Sequence, residues 1–415
     1  MRKSCICLSS VVSQNEAEQN EESLNVCREA SSPQNGNGFL DDSVSTIRLF
    51  GFFDWYYSVL EILLCRRVVG RGMFFAIALL LSCMVSSCSA EREKVDHAFY
   101  EWRSEVSYSP ADLALFDSLK VDKLYVRFFD VQWHEGNAQP YPESIARFRT
   151  SLPKGVEIIP TVYVTVELMR RATERFSLEE LAEKIVRKIE SMSEAANIPL
   201  SSIREIQLDC DWTASTRWAY FDLLRNVKKL KPEWLLSSTI RLHQVKYRVE
   251  TGVPPVDRGM LMAYNAGQVT AIDERNSIFT EEEVEKYLGP LSDYPLPLDA
   301  ALPIFSWGVR FHFDRFAAII DNIGMEEMAG RAEFQQVGEN LWQAEANTEI
   351  RGEPIYAGDI IRIEEPSRKE VLAIAEEIAS KIDQADITLS LYRFDPAIIK
   401  RSRLDYLQSL YRVFE

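Results

Sequence analysis

Beyond residue 88 this chain carries a single cysteine, Cys210; the other six (Cys5, Cys7, Cys27, Cys65, Cys83 and Cys88) crowd its first 88 residues. A disulfide framework for the body is therefore excluded, even in an exported protein. The four histidines (His97, His134, His243 and His312) share no ligand spacing, which argues against a histidine zinc site. No G-x-S-x-G elbow, phosphate loop or dinucleotide fingerprint occurs, so no cofactor is implied. Lys and Arg gather on no basic face and the formal charge is -16, so nucleic acid is not an expected partner.

What is present is ordinary globular material, with 46% hydrophobic and 27% charged residues. Residues 66–72 are basic, 73–81 apolar, and small residues come next, which is the layout of a secretory signal peptide. Val85-Ser86-Ser87-Cys88 also resembles a bacterial lipobox, with Cys88 as the lipidated residue; Leu80-Leu81-Ser82-Cys83 is the alternative. We expect a non-native or disordered leader over 1–67, a lipoprotein signal peptide over 68–88, and a body over 89–415. Translation would then start near Val68, Val69 or Met73, with upstream residues a gene-model extension. The rival is a membrane-associated leader with an interfacial helix over 47–64. The expected location is the bacterial cell envelope, with membrane contact through a lipid on Cys88.

The body alternates between strand and helix patterns. Strands are predicted at 98–102, 123–130, 156–165, 203–211, 234–242, 259–265, 298–307 and 386–393. Helices are predicted from Ser109, and over 142–151, 178–195, 215–230, 280–288, 369–382 and 403–414. Trp218, Phe221, Leu224 and Val227 form the apolar spacing of the fourth of these, and Trp218 and Trp234 read as core. Eight strands separated by helices predict an α/β fold, a (β/α)8 TIM barrel, with an insertion at about 313–366 between strand seven and its helix. A doubly wound open sheet is the other architecture.

Strand four, Ile203 to Asp211, organises the site. Ile206, Leu208 and Cys210 share its apolar face; Gln207, Asp209 and Asp211 share the other. A barrel carries its site at the C-terminal strand ends, so polar positions there face the mouth. The same alternation points Tyr125, Arg127 and Phe129 inward, with Asp130 and Trp133 at the rim. It adds Tyr163, Thr165 and Glu167, then Thr239, Arg241 and His243, then Tyr264 beside Asn265, and Tyr392. Glu101 and Trp307 complete the set, with Trp133, Trp212 and Trp307 as stacking surfaces. Carboxyl groups beside aromatic rings suit a sugar: rings stack on pyranose faces, and glycoside cleavage uses paired carboxyl groups. Asp209 and Asp211 sit close enough to raise one another's pKa. A purely structural alternative has both aspartates in an ion-pair network with Arg127 and Arg241.

Leu208-Asp209-Cys210-Asp211-Trp212-Thr213 resembles the fourth strand of family 18 glycoside hydrolases, with its D-x-x-D-x-D-x-E pattern. The last two aspartates are present; Ile206 stands at the first aspartate and Thr213 at the acid glutamate. More broadly the body resembles uncharacterised bacterial lipoproteins with a glycoside-hydrolase-like TIM barrel. The resemblance implies carbohydrate as substrate or ligand, with Asp209 and Asp211 as catalytic candidates; Glu101, expected inward on strand one, is the third, a carboxyl that could substitute as the acid. Arg127, Trp133, Glu167, Trp212, Arg241, His243, Tyr264, Asn265, Trp307 and Tyr392 are the binding candidates. The other reading is a non-catalytic glycan-binding or envelope-scaffold lipoprotein, favoured by Thr213.

Overall fold

The computed structural model describes residues 92–172 and 176–415; the leader, the signal peptide and Cys88 lie outside the described residues. Seven parallel barrel strands come first: β1 (Lys94–Glu101), β2 (Val121–His134), β3 (Glu157–Val164), β4 (Glu205–Asp209), β5 (Leu235–Arg241), β6 (Arg258–Met262) and β7 (Leu298–Pro303). The strands of an inserted sheet come next, β8 (Trp307–His312), β9 (Arg315–Asp321), β10 (Phe334–Gln336), β11 (Leu341–Ala344) and β12 (Ile360–Glu364), and then the last barrel strand, β13 (Asp386–Tyr392). The parallel neighbours run β1-β13-β7-β6-β5-β4-β3-β2 and return to β1, which closes an eight-stranded barrel. The expected fold class is the observed one.

The helices form for local reasons. In α1 (Pro110–Leu119), Ser109 and Asp112 make a reciprocal capping box behind a proline at the first turn, and Lys120 ends it in the left-handed region. After the short α2 (Val166–Arg170), the long α3 (Leu178–Ala195) buries Leu181, Ala182, Ile185, Val186, Ile189 and Met192 on one stripe. Each larger side chain there contributes about 1.5–3 kcal/mol by leaving water, so Ile189→Ala alone would cost about 2–5 kcal/mol. In α4 (Arg217–Leu230) the buried stripe is Tyr220, Phe221, Leu224 and Val227. Trp218, expected in the core, falls at the stripe's edge and is 44% exposed.

Two departures bear on the mouth. The helix expected over 142–151 is absent: β2 runs on past the barrel to His134 and folds back as an antiparallel strand, Gln139–Glu143, with a short strand, Arg147–Phe148, beyond it. Pro140 and Pro142 are tolerated because this is an edge strand, where a missing N–H need not break a ladder. The second departure is a bulge at Phe128: Arg127 pairs with Thr161 but Phe129 with Val162. The extra residue reverses the facing of the strand beyond it. Phe129, expected inside, lies instead under the Lys188 ammonium of α3, 5.6 Å from its ring centre.

Between β7 and the helix Arg368–Lys381, β8 to β12 build a five-stranded antiparallel sheet in the order β9-β8-β12-β11-β10. It begins at Trp307, ahead of the Phe313 boundary read from the sequence. Glu364, fully buried, anchors it by accepting bonds from Trp307 Nε1, Arg362 Nε and the Ser277 amide and hydroxyl.

Inside the barrel, inward positions are polar at both ends. Toward the N-terminal end, Lys123 meets Asp96 at 3.0 Å and the Thr388 hydroxyl at 3.0 Å. Arg258 forks onto Asp299 at 2.6 and 2.9 Å, and Ser237 donates to Glu205 at 2.5 Å. Burial pushes Glu205 up to about 7, against the pull of Lys123.

Candidate active site at the barrel mouth

Asp209 ends β4 facing inward, as the alternation of the strand requires, and Asp211 comes two residues beyond it; both are buried. Asp209 accepts from the Thr239 hydroxyl at 2.6 Å. Burial raises its pKa to about 6, with Asp211 and Asp130 adding repulsion and Arg241 and Thr239 opposing the rise. Asp211 is ion-paired through Oδ1 to Arg241 Nε. That pairing, with Asp209 close by, holds the guanidinium proton well above its ordinary value despite burial. Arg241 is set by its own chain: it ends β5, and its amide donates to Gln244 in α5 (Leu242–Lys246) at 2.8 Å. His243, on the same short helix, is pushed down to about 4 by burial, against Asp211 and with Arg241, so it stays neutral at neutral pH.

Arg127 reaches the mouth from β2. It lies over the Trp102 ring at 5.4 Å, donates to Ser104 at 3.0 Å and faces Asp130 at 3.7 Å. Burial raises the Asp130 carboxyl, partly offset by Arg127. An aromatic wall completes the ring: Tyr264 stacks on Tyr392 at 5.0 Å, and Tyr100, Trp102 and Phe305 lie 5.4–5.8 Å from Tyr392. Asn265 comes after Tyr264 in the left-handed region, its amide donating to the Ile278 carbonyl at 2.6 Å.

The mouth differs from an ordinary salt-bridge cluster in its unmet atoms. Asp211 Oδ2, Arg241 Nη1, Arg127 Nε and Asp130 Oδ1 are buried without hydrogen-bond partners. Each such atom costs about 1–3 kcal/mol, so several at one place need a reason. A ligand rich in hydroxyls, which both donate and accept, would satisfy carboxylate and guanidinium together. Among the described residues no group of three or more His, Cys, Asp or Glu is placed to hold a metal ion.

Several sequence expectations are corrected. Glu101 does not face the mouth: Tyr100 and Trp102 take the inward side of that strand, and Glu101 points outward into a bidentate pair with Arg103 at 2.5 and 2.9 Å. Glu167 sits in α2, half exposed, bonded to Arg171 at 2.7 Å. Trp212 is no stacking platform; it is fully buried between barrel and helix, lies 5.3 Å from Tyr220 and donates to the Thr251 carbonyl at 3.0 Å. Trp307 is buried at the root of the insertion against Glu364. Trp133 packs under the Arg171 guanidinium at 5.5 Å, beyond the barrel rim. Trp102 was not singled out as a site residue, although its two-residue spacing from Tyr100 marked the shared face. Thr213 turns back on its own loop, to Ser215 at 2.9 Å and Thr216 at 3.3 Å.

No family model matches the sequence, and no curated protein matches it. Solved structures of similar shape include the spore cortex-lytic enzyme SleL of Bacillus cereus, 14% identical over 78% of this chain and 74% of that one, with a TM-score of 0.45. A chitinase from Chromobacterium violaceum is 10% identical over 76% and 98% of the two chains, with a TM-score of 0.45. The catalytic domain of chitinase B from Arthrobacter TAD20 is 10% identical over 79% and 96%, with a TM-score of 0.43.

Proposed function

We propose that the barrel mouth takes carbohydrate and cleaves a glycosidic bond. The observation that carries this reading is the set of buried, unmet polar atoms on Asp211, Arg241, Arg127 and Asp130, walled by Trp102, Tyr264 and Tyr392. Sugar hydroxyls both donate and accept, while the rings suit the apolar faces of pyranoses. Asp209, raised to about 6, can gain and lose a proton near neutral pH. The Asp211–Arg241 pair supplies a fixed charge beside it. Arg127, Tyr264, Asn265 and Tyr392 position the ring.

A binding-only barrel is the second reading, favoured by Thr213, which offers no acid at that position. Reducing-end release from a broad glycan panel, run beside Asp211→Asn, separates the two. Release that disappears in the variant supports the hydrolase. Absent release with sugar-dependent thermal stabilisation supports the binding module, and silence in both assays removes carbohydrate altogether.

We further propose export through residues 68–88 and anchoring by a lipid on Cys88, on the strength of the basic, apolar and small-residue pattern. No helix among the described residues is long and apolar enough to cross a membrane. Membrane partition of the wild type that is lost in Cys88→Ala would support the anchor; partition kept in that variant would sink it.

A further inference from the structure

The hydrolase reading needs a proton donor for the leaving oxygen, and the three glutamate positions open to sequence reasoning do not provide one. Position 213 is a threonine, Glu101 is held by Arg103, and Glu167 is held by Arg171 outside the mouth. The bulge at Phe128 supplies another carboxyl. Register pairs Asp130 with Tyr163 and Tyr163 with Asp209, so the three lie in one row across β2, β3 and β4. Adjacent strands are about 4.8 Å apart, which puts the Asp130 and Asp209 backbones about 10 Å apart. Their carboxyl groups are near enough for the Asp130 charge to raise the Asp209 pKa. The separation suits two carboxyl groups flanking a scissile bond with room for water, roughly 6.5–9.5 Å.

Without the bulge, Phe129 would face inward and Asp130 outward, and the row would be lost. Its Oδ1 is buried and unmet, while Arg127 stands 3.7 Å from its other oxygen. The charged groups that face it are Arg127 on its own strand, Glu143 on the returning edge strand, and Asp209 on β4. Burial, and to a smaller degree the Glu143 carboxylate, favour its neutral form; Arg127 and Ser144 oppose.

Resting on the hydrolase reading, we infer that Asp130 is the catalytic acid of this site. As the bond from the anomeric carbon to the glycosidic oxygen breaks, Asp130 passes its proton to that oxygen. A water oxygen bonds to the anomeric carbon and gives its proton to the Asp209 carboxylate. The products are the two sugars, an ionised Asp130 and a protonated Asp209; proton exchange with solvent restores the start.

The test compares wild type, Asp130→Asn and Asp130→Glu on a glycan that the wild type cleaves and on a nitrophenyl glycoside of the same sugar. A nitrophenolate leaves without protonation, so loss of the acid should matter little there. For Asp130→Asn the expected result is a 100- to 10,000-fold fall in kcat on the glycan, about the worth of a general acid. KM should move little, the loss on the nitrophenyl substrate should be under about tenfold, and the rate should no longer fall as pH rises. Asp130→Glu should recover part of the rate. Equal losses on both substrates would show a structural role and overturn the inference, as would glycan cleavage by Asp130→Asn within about tenfold of wild type; the hydrolase reading would survive either. No cleavage of any glycan by the wild type would overturn both.

Discussion

The two ends of the barrel interior use the same strands and similar residues to opposite effect. Strand β2 carries Lys123 near one end and Arg127 near the other; β4 carries Glu205 and then Asp209. At the N-terminal end the charges are paired, Lys123 with Asp96 and Thr388, Arg258 with Asp299, Glu205 with Ser237, and a single charged atom of the cluster, Asp96 Oδ1, lacks a hydrogen bond although the Lys94 ammonium lies 2.6 Å from it. At the C-terminal end the ion pairs form but leave Asp211 Oδ2, Arg241 Nη1, Arg127 Nε and Asp130 Oδ1 unmet. Buried charge inside a barrel is thus no mark of a site by itself. The mark is buried charge whose hydrogen-bonding capacity the protein has not used up.

The comparison can be broken from either side. The largest effect expected is on rate: Asp211→Asn at the mouth should lower turnover by at least about 100-fold, measured as reducing-end release. A change under about fivefold would make the mouth as structural as the floor. Next is Asp299→Ala at the floor, which leaves Arg258 without its partner and strips the Thr388 amide of its acceptor. Breaking a buried pair this way should cost about 3–5 kcal/mol in urea unfolding, with activity per folded molecule retained. A smaller effect concerns pH. Glu205 is raised from 4.5 to about 7, so its ionised form weakens the fold above that pH, and the penalty fades as pH falls toward 4.5. Glu205→Gln should therefore stabilise at pH 8, by at most about 3 kcal/mol, and match wild type near pH 4. A variant less stable at pH 8 would show that the ionised group stabilises the fold through Lys123. Smallest of all, Glu167→Gln should shift stability by no more than about 0.5 kcal/mol and leave turnover unchanged, because its ion pairs are exposed. A clear loss of turnover would restore Glu167 to the site.

Much of this was legible in the sequence because period-two alternation is a local signal. It placed Asp209, Asp211, Arg127, Arg241, Tyr264 and Tyr392 on inward faces, and the alternation of elements gave the barrel. The misreadings came from non-local causes. The bulge at Phe128 is set by pairing with β3, and no residue type there announces it; it sent Phe129 outward and kept Asp130 inward. Glu101 looked inward because it is charged, yet Ala98, Tyr100 and Trp102 share the inward face, and Arg103 two residues on supplies an outward partner. Trp212 lies just past the end of its strand, where alternation no longer governs direction, and the helix layer claims it. The returning strand over 139–143 was hidden by prolines that an edge position tolerates.

The most direct measurement sets two carboxylates of one strand against each other: Asp209→Asn at the mouth and Glu205→Gln at the floor, both assayed for glycan cleavage. A fall of at least about 100-fold in the first, with the second within about twofold of wild type, is the result expected if function is confined to the mouth. Equal losses in both, or cleavage that survives Asp209→Asn, would contradict it.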